Sequence, residues 1–181
     1  MDTNSNSKND TGILLIGHGS RLPYNKEVVQ AIADKYSETQ PDYNIEVGFM
    51  ELAEPNIPTA FNKLAATGVK KIIVTPVFLA HGLHTKRDIP TILGLEPSPD
   101  VEQYVSGHGH HHHHHHDHDH DHDHDHDHEE EHGHHHHGHH HHHHDEEEEK
   151  IEFDGEIIYT EPLGADDAIV EIIAERVNPH L

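Results

Sequence analysis

The chain has 181 residues, a formal net charge of −24 and no cysteine. Without cysteine it can form neither disulfides nor thiolate metal sites, so any bound metal must use nitrogen and oxygen ligands. The acidic charge argues against nucleic acid and anionic membranes as partners, and favours the accumulation of cations.

The first half of the chain predicts two strands and two helices. Residues 12–17 form a continuous apolar run ending in glycine, typical of a buried strand in a parallel sheet. A helix is expected between Pro23 and Pro41, and residues 44–50 form a second strand. Asn56 is predicted to cap a second helix. The apolar face of the first helix is expected to comprise Val28, Val29, Ile32, Ala33 and Tyr36.

The next segment predicts one strand and a long connection. Residues 71–79 form an apolar strand, with Pro76 marking its end or a local break. Residues 81–90 are expected to form a loop that leads into a short helix, and residues 101–105 a short strand.

The segment from His108 to His144 holds 25 of the chain's 29 histidines, interleaved with aspartate, glutamate and glycine. Neutral imidazole suits nickel, cobalt, copper and zinc. The alternative is a solvated low-complexity loop or a tag, although a tag would be shorter, terminal and uniform. Because residues 108–149 contain nothing apolar to bury, we expect this insertion to be disordered without metal and to buffer metal beside a binding site.

After this insertion, residues 156–160 predict a last strand and residues 165–177 a last helix. The side chains of that helix expected to face the core are Ile169, Ile172, Ile173 and Val177. The alternating order predicts an α/β fold with a parallel sheet and helices on both faces. One domain is expected from residues 11–107 and 150–181, after a disordered tail of residues 1–10. That tail is no secretory signal, and no apolar run is long enough to span a membrane, so a cytoplasmic protein is expected.

Two histidines follow predicted strands. His18 lies between two glycines after the first strand, which would leave its ring uncovered and let a ligand approach the backbone. His84 follows the third strand, and adjacent first and third strands would bring both rings to one edge of the sheet. His81 competes with His84, and the spacing does not decide between them. Two imidazoles facing one cavity would form an incomplete transition-metal site.

Carboxylates and basic residues are expected at the same edge. Of Glu51 and Glu54, one could be a solvated charge at a helix start and the other a proton acceptor or metal ligand. The basic residues there suggest an anionic ligand, carboxylate or phosphate; they are Arg21, Lys86 and Arg87. The Gly17–Ser20 turn lacks the pattern of a nucleotide-binding P-loop.

These motifs together resemble one known family, the short archaeal sirohydrochlorin chelatases of class II. The resemblance rests on Ile16-Gly-His-Gly-Ser-Arg21, Phe49-Met-Glu51, Phe78-Leu79, Gly82-Leu-His84, Asp88-Ile-Pro90 and Pro162-Leu-Gly164. The motifs occur in order over most of residues 12–95 and 156–177. His81 and the length of the His-rich insertion depart from the family pattern.

The resemblance implies a flavodoxin-like fold with a four-stranded parallel sheet, a homodimer, and insertion of Co²⁺ or Ni²⁺ into sirohydrochlorin for cobalamin or coenzyme F430 synthesis. It implies that His18 is a metal ligand and proton acceptor, and His84 the second ligand. The residues implied to line the tetrapyrrole are Glu54, Leu79, Ala80, His81, Gly82, Leu83 and His84, with Glu51, Ser20 and Arg21 as further candidates. The metal is a substrate, and no permanently bound cofactor is expected. The alternatives are a nickel or cobalt storage or delivery protein, and a ferrochelatase for siroheme.

Overall fold

The computed structural model describes residues 10–105 and 150–181. The predicted tail, except Asp10, and the predicted insertion 108–149 lie outside the described residues. The elements in chain order are β1 (Thr11–Gly17), α1 (Tyr24–Thr39), β2 (Asn44–Phe49), α2 (Ile57–Ala65), β3 (Lys71–Pro76), a π-helix (His84–Asp88), α3 (Ile89–Ile92), α4 (Val101–Val105), β4 (Glu156–Tyr159), α5 (Asp167–Val177) and a short 3₁₀ helix (Asn178–His180).

The four strands form one parallel sheet in the order β2-β1-β3-β4. The predicted α/β, flavodoxin-like fold is confirmed. Strand β1 lies between β2 and β3, so the carboxyl ends of three successive strands meet at one edge. In such sheets, ligands bind outside this edge.

Alternate residues of β1 belong to two separate hydrophobic clusters, one on each face of the sheet. Leu14 belongs to the cluster that includes Phe61 of α2. Leu15 belongs to the cluster that includes Val29 and Ala33 of α1. Strand side chains alternate between faces, so these clusters place α1 and α2 on opposite sides. Full burial of one such leucine or phenylalanine contributes about 1.5–3 kcal/mol.

The connection after β3 differs from the prediction. The strand ends at Pro76, which is one of the two roles predicted for this proline. The predicted loop contains the π-helix, and the predicted short strand is helix α4. In α4, the backbone N–H of Val101 donates to the carbonyl oxygen of Ser98, which closes a turn where an extended strand would not.

Two helices bury less apolar surface than their patterns predicted. In α1 only Val29 and Ala33 are buried, while the side chains of the same predicted face that remain exposed are Val28, Ile32 and Tyr36. Helix α5 begins at Asp167 and has no buried residue, with Ile173 56% exposed. Ile169 is half-buried, but the prediction that Ile172, Ile173 and Val177 face the core of this chain was wrong. Among the described helices, none has the length and apolar character needed to cross a membrane.

Candidate metal centre

Three potential metal ligands converge at the carboxyl edge of the sheet. His18 follows β1, Glu51 follows β2, and His84 opens the π-helix after β3. One ligand atom from each lies within 4.8 Å of the others. The two imidazole rings meet edge to face, with their centroids 5.0 Å apart. Two imidazoles and a carboxylate form a nitrogen and oxygen donor set suited to Co²⁺, Ni²⁺ or Fe²⁺.

The backbone around His18 is fixed to the segment after β2. The N–H of Met50 donates to Gly17 O at 3.0 Å, and the N–H of Glu51 donates to His18 O at 3.1 Å. Gly19 has a φ of +87°, and a Cβ there would lie 1.8 Å from the Glu51 carbonyl oxygen. The turn therefore needs glycine at this position because the Glu51 backbone lies so close.

The side chain of His18 has one occupied and one available nitrogen. Its Nδ1 lies 3.0 Å from Gly19 O, and its Nε2 lies 3.8 Å from Glu51 Oε1. The side chains of His18 and Glu51 are 43% and 50% exposed. Both side chains can therefore be reached from solvent by a metal ion.

His84 is held by a carboxylate four residues further on. Its Nδ1 lies 2.8 Å from Asp88 Oδ2, and Arg87 Nε donates to Asp88 Oδ1 at 2.7 Å. Burial alone would raise the pKa of Asp88, but hydrogen bonds from Arg87 and His84 outweigh it and hold the pKa below its usual value. Asp88 is therefore an ionised acceptor for His84. The sequence analysis gave Asp88 no role, although its spacing of four residues from His84 was a usable signal.

Two of the cations expected to bind an anionic ligand are paired within the chain. Lys86 Nζ lies 2.8 Å from Asp100 Oδ2, and its hydrogen bond to Asp100 raises its pKa. Arg87 is engaged by Asp88. Arg21 is exposed and makes no ion pair within the described part of the chain. Of the three predicted cations, Arg21 is the one best placed to meet an anionic group.

The remaining predicted residues surround the three ligands without joining them. Glu54 Oε2 accepts from the N–H of Asn56, and Ser20 Oγ accepts from the N–H of Leu22. Of the seven residues expected to line a tetrapyrrole, five consecutive ones after β3 are exposed, and these are Leu79, Ala80, His81, Gly82 and Leu83.

His81 has partners of its own, and the structure does not place it in the cluster of His18, Glu51 and His84. Its Nε2 makes a short hydrogen bond to Glu161, and its Nδ1 lies 3.2 Å from Thr85 Oγ1. Neither Glu161 nor Thr85 had been given a role from the sequence; the proximity of Glu161 depends on the pairing of β4 with β3, whereas Thr85 lies only four residues from His81.

A groove with a volume of about 580 Å³ lies beside the segment that carries Leu79 and His81. It separates the end of β3 from α5, and apolar side chains dominate its lining. Its walls include Leu79, His81, Pro162, Ile169, Val170 and Ile173. Its lining does not include His18, Glu51 or His84, and an apolar groove of this size can accommodate part of a flat organic molecule.

The chain is similar in sequence to a known protein family and to named members of it. The CbiX family model matches residues 12–180. The chain is 52% identical over 178 residues to the sirohydrochlorin cobaltochelatase of Methanothermobacter thermautotrophicus, with 98% of each chain covered. It is 46% identical to that of Methanopyrus kandleri, with 93% of this chain and 96% of the relative covered.

Solved structures support the fold. The sirohydrochlorin chelatase SirB from Bacillus subtilis subspecies spizizenii, solved in complex with cobalt, aligns with a TM-score of 0.55 at 21% identity. That alignment covers 94% of this chain but only 50% of SirB, so the chain spans about half the length of SirB. A putative CbiX protein of cobalamin biosynthesis from Marinobacter aquaeolei aligns with a TM-score of 0.50 at 22% identity, covering 93% of this chain and 95% of that one.

Proposed function

Because the chain belongs to the CbiX family, we propose that it is a sirohydrochlorin chelatase, which inserts Co²⁺, Ni²⁺ or both into sirohydrochlorin. The observation that carries the proposal is the cluster of two half-buried histidines and an exposed carboxylate, His18, His84 and Glu51. The relatives in the sequence comparison are named for cobalt, so cobalt is the first metal to test. Affinity alone does not identify the cellular metal, because imidazole sites follow the Irving–Williams order.

The reaction requires a metal ion to lose water and two pyrrole N–H groups to lose their protons. We propose that His18 and His84 bind the ion through neutral imidazoles, which hold it while leaving it exchangeable. The two released protons need acceptors beside the ion; the Glu51 carboxylate can take one, and His18 Nε2 can take the other once it has released the ion to the macrocycle. Without thiolates, the site does not bind soft metals so tightly that transfer to the macrocycle is prevented.

We propose that the macrocycle lies over the open side of this cluster. The residues assigned to contact it are Glu54, Leu79, Ala80, His81, Gly82 and Leu83, with Ser20 and Arg21 at the edge. The exposed apolar side chains Leu79 and Leu83 suit the flat faces of a tetrapyrrole. Arg21 suits one of the substrate's carboxylates, which matters because the net charge of the chain repels an anionic substrate.

A homodimer in the cytoplasm is part of the proposal. Helix α5 leaves Val170, Ile173 and Val177 exposed, an apolar surface that a second copy could cover. SirB, with twice the length of this chain, provides room for two units of this size in one polypeptide. A second copy would also supply a wall for a site whose ligands are open to solvent in the monomer.

The His-rich segment is proposed as an accessory metal buffer. Its 25 histidines provide capacity for metal, while His18 and His84 provide a fixed geometry. This arrangement also defines the main competing function, a storage or delivery protein in which the α/β domain only supports the His-rich segment. The third candidate, ferrochelation for siroheme, would use the same site.

Insertion measured by ultraviolet–visible absorption with sirohydrochlorin and Co²⁺, Ni²⁺ or Fe²⁺ tests the proposal. His18→Ala and His84→Ala are each expected to abolish insertion at saturating metal, because each removes a ligand of the ion. His180→Ala is the matched control, since His180 is exposed in the C-terminal 3₁₀ helix. Full activity in both ligand variants, with loss of turnover on deletion of 108–149, would favour storage or delivery instead.

A further inference from the structure

Both histidines of the cluster present Nδ1 to an oxygen acceptor. The acceptor for His18 is the Gly19 carbonyl at 3.0 Å, and the acceptor for His84 is the Asp88 carboxylate at 2.8 Å. Neither oxygen can donate, so each ring must carry its proton on Nδ1. The lone pair of each neutral imidazole is then on Nε2, and both rings can bind a metal through that atom.

The two acceptors differ in what maintains them. For His18 the acceptor is backbone, which no substitution removes. For His84 the acceptor is the side-chain carboxylate of Asp88. Arg87 Nε donates to Asp88 Oδ1, so Oδ2 remains available to the histidine.

The helical segment that carries these side chains is itself anchored. The Tyr159 hydroxyl donates to Thr85 O at 2.7 Å, and the Thr85 side chain is 2% exposed. The segment that holds His84 and Asp88 is therefore attached to the folded core through Thr85.

We propose that Asp88, oriented by Arg87, is a positioning residue that fixes His84 in the tautomer with its lone pair on Nε2. This inference rests on the proposed chelatase function for its consequence, because the Nε2 lone pair is what the substrate metal would bind. Partners that orient a metal-binding histidine through its second nitrogen typically change affinity or activity by about 10- to 100-fold when removed.

The Asp88→Asn variant is expected to reverse the tautomer of His84, because an amide has only one oxygen. The Arg87 guanidinium can only donate, so it keeps that oxygen and turns the amide NH₂ toward His84. His84 Nδ1 must then accept, and the proton moves to Nε2, where it blocks the metal. Asp88→Glu retains a carboxylate with two oxygens, so it is expected to retain the wild-type tautomer.

The direct test is a ring ¹⁵N–¹H correlation spectrum of the full metal-free chain at about pH 8, where an ordinary imidazole is neutral. The His84 signals are those missing from the spectrum of His84→Gln. Wild type and Asp88→Glu are expected to carry the proton on Nδ1, and Asp88→Asn on Nε2. A wild-type His84 protonated on Nε2 would overturn the proposal, even if no variant folds.

Insertion kinetics provide the second readout. Asp88→Asn is expected to lower kcat/KM for the metal by about 10- to 100-fold, with recovery in Asp88→Glu. Asp100→Asn is the matched control, because it removes a carboxylate paired with Lys86 in the same region without touching a histidine. Reduced insertion with an unchanged His84 tautomer would overturn the proposal. If the wild-type protein shows the expected tautomers but no insertion activity, the proposed function is overturned. The role of Asp88 in orienting His84 would still stand.

Discussion

Replacing Gly19 by alanine tests how the backbone joins His18 to Glu51. The added methyl group would lie 1.8 Å from the Glu51 carbonyl oxygen, far inside the separation of about 3.5 Å at which nonbonded heavy atoms meet. The residue would also have to keep a φ of +87°. The substitution therefore has two separate costs, one steric and one conformational.

Each cost has a typical magnitude. A residue with a Cβ in the left-handed region loses about 1–2 kcal/mol. Displacing the Glu51 backbone resembles overpacking, which costs about 1–3 kcal/mol. We therefore expect Gly19→Ala to reduce the free energy of unfolding by about 2–5 kcal/mol. For a chain of this size, each kcal/mol lowers the thermal midpoint by about 2–4 °C.

Two other glycines separate the costs. Gly68 has a φ of +85° with nothing within 4 Å of an added Cβ, so Gly68→Ala carries the conformational cost alone. Gly82 has open space and no positive φ, so Gly82→Ala is expected to leave stability nearly unchanged. Urea denaturation measures all three, with similar m-values expected if only native stability changes. A Gly19→Ala variant within about 0.5 kcal/mol of Gly68→Ala would refute the steric argument.

Three further predictions concern titration, metal capacity and assembly. Burial raises the pKa of Tyr159 to about 12; the folded chain therefore retains this proton above the unfolded pKa of about 10, and stability falls as pH rises between these values. Thermal midpoints should show a smaller alkaline loss in Tyr159→Phe than in Tyr24→Phe, and equal losses would contradict this account. Deleting 108–149 should reduce bound cobalt or nickel in equilibrium dialysis while leaving insertion at saturating metal largely intact; unchanged stoichiometry would rule out buffering. Ile173→Asp should shift the chain toward monomer in analytical ultracentrifugation, whereas an unchanged mass would exclude α5 from the interface.

The sheet could be predicted because its signals are local. The runs that form β1 and β3 are continuously apolar, and glycine or proline marks their ends. Parallel order then brings the ends of β1 and β3 together, so the approach of His18 to His84 follows from topology. The third member, Glu51, could not be chosen over Glu54 because that choice depends on backbone hydrogen bonds to the turn around His18.

The predictions for residues 84–88, residues 101–105 and α5 were wrong because contacts with residues distant in sequence, or too short a segment, determine the structure there. Residues 84–88 are mostly polar and predicted a loop, but the buried Thr85 and its bond from Tyr159 hold them in a helix. Five residues at 101–105 are too few for periodicity to distinguish strand from helix. The apolar stripe of α5 indicates that something covers it, but a pattern within one chain does not say which surface does so.

The three ligands of the candidate site follow three different strands, and this has a thermodynamic consequence. His18, Glu51 and His84 meet only when β1, β2 and β3 have paired, so the site exists in the native chain and not in the unfolded one. At a free metal concentration 100 times the dissociation constant of this site, binding would add about 2.7 kcal/mol to the free energy of unfolding. The histidines between His108 and His144 lie in one segment of the sequence, and we expect them to bind metal without any strand pairing. Metal bound by these histidines in both the folded and the unfolded chain cancels from the free energy of unfolding, so at a given free metal concentration the protection against heat should report the affinity of the folded site.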